Sequence, residues 1–107
     1  MGEHTIVTGV LLDERTTVSF VEVRQRLNLT EAALLELLEH GIFDISAQNF
    51  QQMQFNVTML QKIEAACRLQ QDLGVNVPGA VLALELLEEL AQLRLQLSIL
   101  QHHVDDF

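Results

Sequence analysis

The sequence predicts a mainly α fold: a winged helix-turn-helix with a small β element, followed by a long coiled-coil-like helix at the C-terminal end. Three observations predict it. Apolar residues recur at helical spacing over most of the chain, capping residues punctuate that pattern at short intervals, and one apolar stripe continues unbroken from Ala83 to Phe107. With 107 residues, 49% of them hydrophobic, the chain is long enough to close an ordinary core without a disulfide or metal staple.

The elements follow in order. Thr5 to Leu12 is rich in β-branched residues and predicts a strand, with Asp13-Glu14-Arg15 as a turn and Thr16 to Ser19 as a short return. Ser19 and Glu22 have the spacing of a capping box, which predicts a helix from Phe20 to about Leu27 with Phe20, Val23 and Leu27 on one face. Thr30 is the next N-cap. The segment Glu31 to His40 follows it at helical spacing, and Gly41 closes it. Two short helices separated by Asn28-Leu29-Thr30 have the proportions of a helix-turn-helix. Short stretches at Ile42–Ile45 and Met53–Phe55 flank a polar, Gln-rich connection and predict a small wing.

Asn56 or Thr58 caps a third helix that reaches Leu73, with Leu60, Ile63, Ala66 and Cys67 on its buried side and Gly74 ending it. Val77-Pro78 starts the last helix, where a missing N–H costs nothing. Along that helix Ala83, Leu86, Leu90, Leu93, Leu97, Leu100, Val104 and Phe107 alternate spacings of three and four. A second stripe, Ala80, Leu84, Leu87 and Ala91, runs beside it. A helix with two apolar faces needs two partners, its own domain and another chain. The expected division is therefore a winged helix-turn-helix domain over residues 1–76 and a dimerisation helix over 77–107, packed on the same domain. Leu86, Leu90, Leu93, Leu97, Leu100 and Val104 are the candidate dimer residues.

Charge narrows the function. Fifteen acidic residues face six basic ones, a formal net charge of −9. Nucleic acid binds through Lys and Arg that displace its counterions, so this balance opposes it and instead suits a basic protein partner. From Leu27 to Gln61 there is no Lys or Arg at all, and the second helix of the helix-turn-helix carries Glu31, Glu36 and Glu39. Cys67 is the only cysteine and sits in an apolar helical pattern, which fits a buried thiol. No G-x-S-x-G, P-loop or G-x-G-x-x-G is present, so no enzyme chemistry and no cofactor are expected. His102 and His103 are adjacent and point about 100° apart on a helix, which does not make a metal site. Met-Gly-Glu-His lacks the basic start and apolar core of a signal peptide, and no apolar run reaches membrane-spanning length, so the expected location is cytoplasmic.

The order helix-turn-helix, wing, third helix and Pro-started helix resembles the DNA-binding half of MerR-type regulators. More specifically, Ala66-Cys67-Arg68-Leu69 through Leu73, Pro78-Gly79, and Ala83-Leu84-Glu85-Leu86 through Ala91 and Leu93 resemble the chaperone-modulator family typified by CbpM. The opening LLDERTTVSFVEV and the run LLELLEHGIF resemble it too, so the likeness extends from about Val10 to Leu100. It implies a bacterial protein that binds the J-domain of a CbpA/DnaJ-type co-chaperone. Such proteins inhibit that co-chaperone's stimulation of a DnaK-type chaperone and limit its DNA binding. Candidate partner-binding residues are the acids Glu36 and Glu39 on the second helix and Glu85, Glu88 and Glu89 on the last. The alternatives are a MerR-type transcription regulator, which the absence of basic residues from Leu27 to Gln61 opposes, and a generic helical interaction module.

Overall fold

The computed structural model describes residues 4–7, 10–13, 15–45 and 49–105. Strands β1 (His4–Val7) and β2 (Val10–Asp13) form an antiparallel hairpin, with Val7 opposite Val10. Strand β3 (Val18–Ser19) then leads directly into helix α1 (Phe20–Leu27), which is followed by α2 (Glu31–Glu39), a 3-10 turn (Phe50–Gln52), β4 (Gln54–Phe55), α3 (Val57–Leu73) and α4 (Val77–Asp105). The predicted fold class stands: a mainly α chain built on a helix-turn-helix, with a small β element and a long final helix.

Local chemistry sets the helix ends. The Ser19 hydroxyl accepts the Glu22 N–H at 3.2 Å while the Glu22 carboxylate accepts the Ser19 N–H at 3.3 Å, a complete capping box. Thr30 Oγ1 accepts the Ala33 N–H at 3.0 Å, and Asn56 Oδ1 accepts the Met59 N–H at 2.9 Å, so Asn56 rather than Thr58 caps α3. Asn76 caps α4 by accepting the Gly79 N–H at 2.9 Å. A Cβ on Gly79 would stand 3.0 Å from that same Oδ1, which accounts for glycine in the first turn.

The core is assembled from every helix. Val23, Leu34, Leu37, Phe55, Leu60, Ile63, Ala66 and Ala80 are essentially inaccessible, and burying one Leu, Ile or Phe side chain contributes about 1.5–3 kcal/mol. α4 enters this core through Val77, Ala80, Val81 and Leu84, one face of its first two turns. Beyond Leu84 it leaves the domain.

Two sequence expectations need correction, and both concern β structure. The single strand expected over Thr5–Leu12 is instead the hairpin of β1 and β2, and the Thr16–Ser19 segment does not pair with it. The wing expected from Ile42–Ile45 and Met53–Phe55 also does not form as a hairpin. Phe55 pairs with Val18 and Gln54 with Ser19, so β4 closes onto the entrance of α1. Ile42 belongs to the end of α2. Its N–H donates to the Leu37 carbonyl at 3.3 Å and that of Gly41 to Leu38 at 3.2 Å, while Gly41 has φ +80°. That is a Schellman closure, and the apolar residue after the glycine packs back on the helix, which explains why Ile42 is buried outside any strand.

Candidate functional site

The candidate surfaces are built from α2 and α4. On α2, Leu34, Leu37 and Leu38 turn inward, which leaves Glu36 and Glu39 outward and exposed. Glu31 is held differently, accepting a hydrogen bond from Gln51 Nε2 at 2.8 Å and thereby tying α2 to the 3-10 turn. On α4, Glu85, Glu88 and Glu89 are all exposed and stand three and four residues apart, on one side of the helix just past its last buried residue. Glu88 is paired within the chain, its Oε1 lying 3.3 Å from Lys62 Nζ. Among the described residues Glu85 and Glu89 have no such pair.

Leu86, Leu90, Leu93, Leu97 and Leu100 are between 42% and 61% exposed. Leu86 follows Val77 by nine residues and Leu90 follows Val81 by nine, about two and a half turns, so this stripe stands on the back of α4 relative to its own domain. Val104 lies in α4, with its side chain outside the described residues, as is Phe107. Of the second stripe, Ala80 and Leu84 are buried in the domain, but Leu87 and Ala91 are exposed because the domain ends before them. Ala83 is half-buried.

Sequence reasoning missed Leu82, Leu95 and Ile99, which are equally exposed large apolar groups. Leu82 escaped because the three–four alternation through Ala83 skips it. Leu95 and Ile99 belong to the domain-facing side, and only the point where the domain stops makes them surface.

Elsewhere, a shallow groove between the end of α1 and α3 is lined by Arg26, Asn28, Glu64, Cys67 and Arg68. Cys67 is half-buried, less enclosed than its pattern suggested, and burial followed by the neighbouring Glu64 carboxylate pushes its thiol up from the ordinary value. That is the opposite of an activated nucleophile. Among the described residues no three His, Cys, Asp or Glu side chains converge as a metal site, and no helix is long and apolar enough to cross a membrane. His102 and His103 are both exposed.

What the arrangement can do is bind. It offers a leucine-rich helical stripe bordered by carboxylates, on a helix that projects from its domain. The family profile described as MerR HTH family regulatory protein matches residues 18–102. Chaperone modulatory protein CbpM of Pseudomonas entomophila is 33% identical over 98 residues, 92% of this chain and 91% of that protein. Its counterpart from Pseudomonas putida is likewise 33% identical over the same shares. CbpM of Coxiella burnetii is 24% identical over 96 residues, 90% of this chain and 91% of its own length.

Proposed function

The chain belongs to the CbpM family of chaperone modulatory proteins, within the MerR-like helix-turn-helix proteins, and from that premise we propose that it binds the J-domain of a CbpA/DnaJ-type co-chaperone and blocks its stimulation of a DnaK-type chaperone. The observation that carries the reading is the pairing of exposed carboxylates with exposed leucines on an otherwise well-packed domain. A J-domain that meets a chaperone through a basic helix would find complementary charge at Glu36 and Glu39 and at Glu85 and Glu89. Burial of exposed leucines outside the dimer stripe, Leu82 and Leu87, then supplies most of the affinity, and the carboxylates speed encounter and fix orientation. In this reading residues 1–76 form the helix-turn-helix domain, residues 77–107 form the dimerisation helix, and the protein works in the bacterial cytoplasm without a cofactor.

The homodimer forms in this proposal through Leu86, Leu90, Leu93, Leu97, Leu100 and Val104. Five of these leucines stand on the open back of α4, and an apolar stripe of that length on a soluble domain is an association surface.

A DNA-binding regulator is the second reading, favoured by the helix-turn-helix itself. The would-be recognition helix argues against it. α2 presents Glu36 and Glu39 to solvent where phosphate contacts call for Lys and Arg, and no Lys or Arg occurs from Leu27 to Gln61.

The experiment is stopped-flow and calorimetric titration with the isolated J-domain of the co-chaperone from the same cell. Binding is expected, with charge reversal at Glu85 and Glu89 slowing association and flattening its salt dependence. The absence of any heat or complex at tens of micromolar would overturn the reading.

A further inference from the structure

The leucine stripe of α4 has the period of a heptad. Ala83, Leu90, Leu97 and Val104 stand seven residues apart, and Leu86, Leu93 and Leu100 follow the first three of them by three. In a two-stranded coil these are the two core rows, and one further row borders the seam on each side. Over residues 86–101 the row preceding the first core row holds Glu89 and Gln96. The row following the second holds Leu87, Arg94 and Gln101. All five side chains are exposed. Over residues 90–104 Arg94 is the only Lys, Arg, Asp or Glu, so the one charge on this stretch stands in a bordering row. Among the described residues neither Glu89 nor Arg94 has an ion pair. They are five residues apart, about 140° around one helix, so they do not meet within the chain.

We propose that a second copy of this chain covers the stripe with its helix parallel and in register, so that Glu89 of each copy faces Arg94 of the other. The proposal rests on the dimer described above and adds its direction. In a parallel pair, a residue of the first bordering row faces the second bordering row of the other helix, five positions further along. Glu89 therefore meets Arg94 and Gln96 meets Gln101, an ion pair and an amide pair on each side of the seam. An antiparallel pair sets each bordering row against itself. Arg94 would then face Arg94, Leu87 or Gln101, and Glu89 would face no Lys or Arg. A charge match present in one orientation and lost in the other selects between them. It also names the occupant, because a different chain would have to repeat both leucine rows and carry a base and an acid at this same spacing. The stripe stands on the back of α4 relative to its own domain, so the two domains lie outward, at the same end of the coil. Bordering pairs stay at the edge of the water, and Glu89 remains part of the acidic surface beside Glu85. The dimer thus presents two copies of that surface at one end.

Sedimentation equilibrium on the full chain gives the dimer dissociation constant, and charge reversal reads the direction. Glu89→Arg alone and Arg94→Glu alone are each expected to raise that constant about tenfold, because each turns two attractive contacts of the dimer into repulsive ones. The two changes together are expected to return it to near the wild-type value, with circular dichroism helical throughout. A wild-type dimer whose double reversal stays as weak as the single ones would overturn the pairing and leave the dimer standing. Independently, Leu100→Cys in a Cys67→Ser background is expected to oxidise to a covalent species of twice 12.1 kDa, since parallel helices in register set residue 100 beside its own copy. Failure of that cross-link in a variant that still sediments as a dimer would overturn the parallel register. A wild-type mass of 12.1 kDa at tens of micromolar would overturn the dimer, and this pairing with it.

Discussion

The ammonium of Lys62 stands 3.3 Å from Oε1 of Glu88 and so joins α3 to α4 at the point where α4 leaves the domain. The same ammonium lies 5.7 Å from the centre of the Phe43 ring, in the segment after α2. One side chain of α3 thus touches two other parts of the fold. It also distinguishes Glu88 from Glu85 and Glu89, which are exposed and have no ion pair among the described residues.

That pair predicts a small and salt-sensitive coupling. Glu88 is exposed and Lys62 half-buried, so a double-mutant cycle on Lys62→Met and Glu88→Gln is expected to give about 0.5 kcal/mol in denaturant unfolding, shrinking in molar salt. A coupling several times larger that ignores salt would mean the pair is enclosed rather than exposed.

The helix caps predict a larger cost. Ser19→Ala removes the hydroxyl that accepts the Glu22 N–H, leaving the bond from the residue 19 N–H to the Glu22 carboxylate, and Asn56→Ala removes the acceptor for the Met59 N–H, so each is expected to lower stability by about 1 kcal/mol. The two sites are on different helices and should add in the double variant. Urea unfolding measures this, and no change for Ser19→Ala would contradict the closed capping box.

Much of this was legible in the sequence because it is local. Ser19 with Glu22, Thr30, Gly41 and Gly74 act within one turn of themselves, and the boundaries they set are those observed. β pairing is not local. Nothing in Gln54-Phe55 says that it will pair with Val18-Ser19 rather than with the apolar residues after Gly41. Ile42 looked like strand because a Schellman closure and a short strand both ask for an apolar residue. The leucine stripe was legible from its spacing, whereas Leu95 and Ile99 depend on where the domain ends, which is a tertiary fact.

Cys67 predicts a pH dependence. Its thiol is pushed above the ordinary value by burial and by Glu64, so the protonated form is favoured in the folded chain. A folded pKa raised above the unfolded one contributes stability that is present below the unfolded value, about 9, and lost as pH rises through the folded value. Alkylation by iodoacetamide at pH 8 is expected to be slower in the folded than in the unfolded chain. Equal rates would contradict the enclosed thiol.

The helix-turn-helix is expected to have no DNA affinity. Mobility shifts at low salt, where attraction between charges is least screened, should give no complex with non-specific duplex. A sub-micromolar complex that weakens steeply with salt would restore the regulator reading.

The most direct measurement is steady-state ATP hydrolysis by the DnaK-type chaperone with its J-protein, in the presence and absence of this protein. Competition at the J-domain predicts that hydrolysis falls toward the unstimulated rate and that adding more J-protein restores it. Unchanged stimulation at saturating concentrations, or inhibition that excess J-protein does not relieve, would contradict the account.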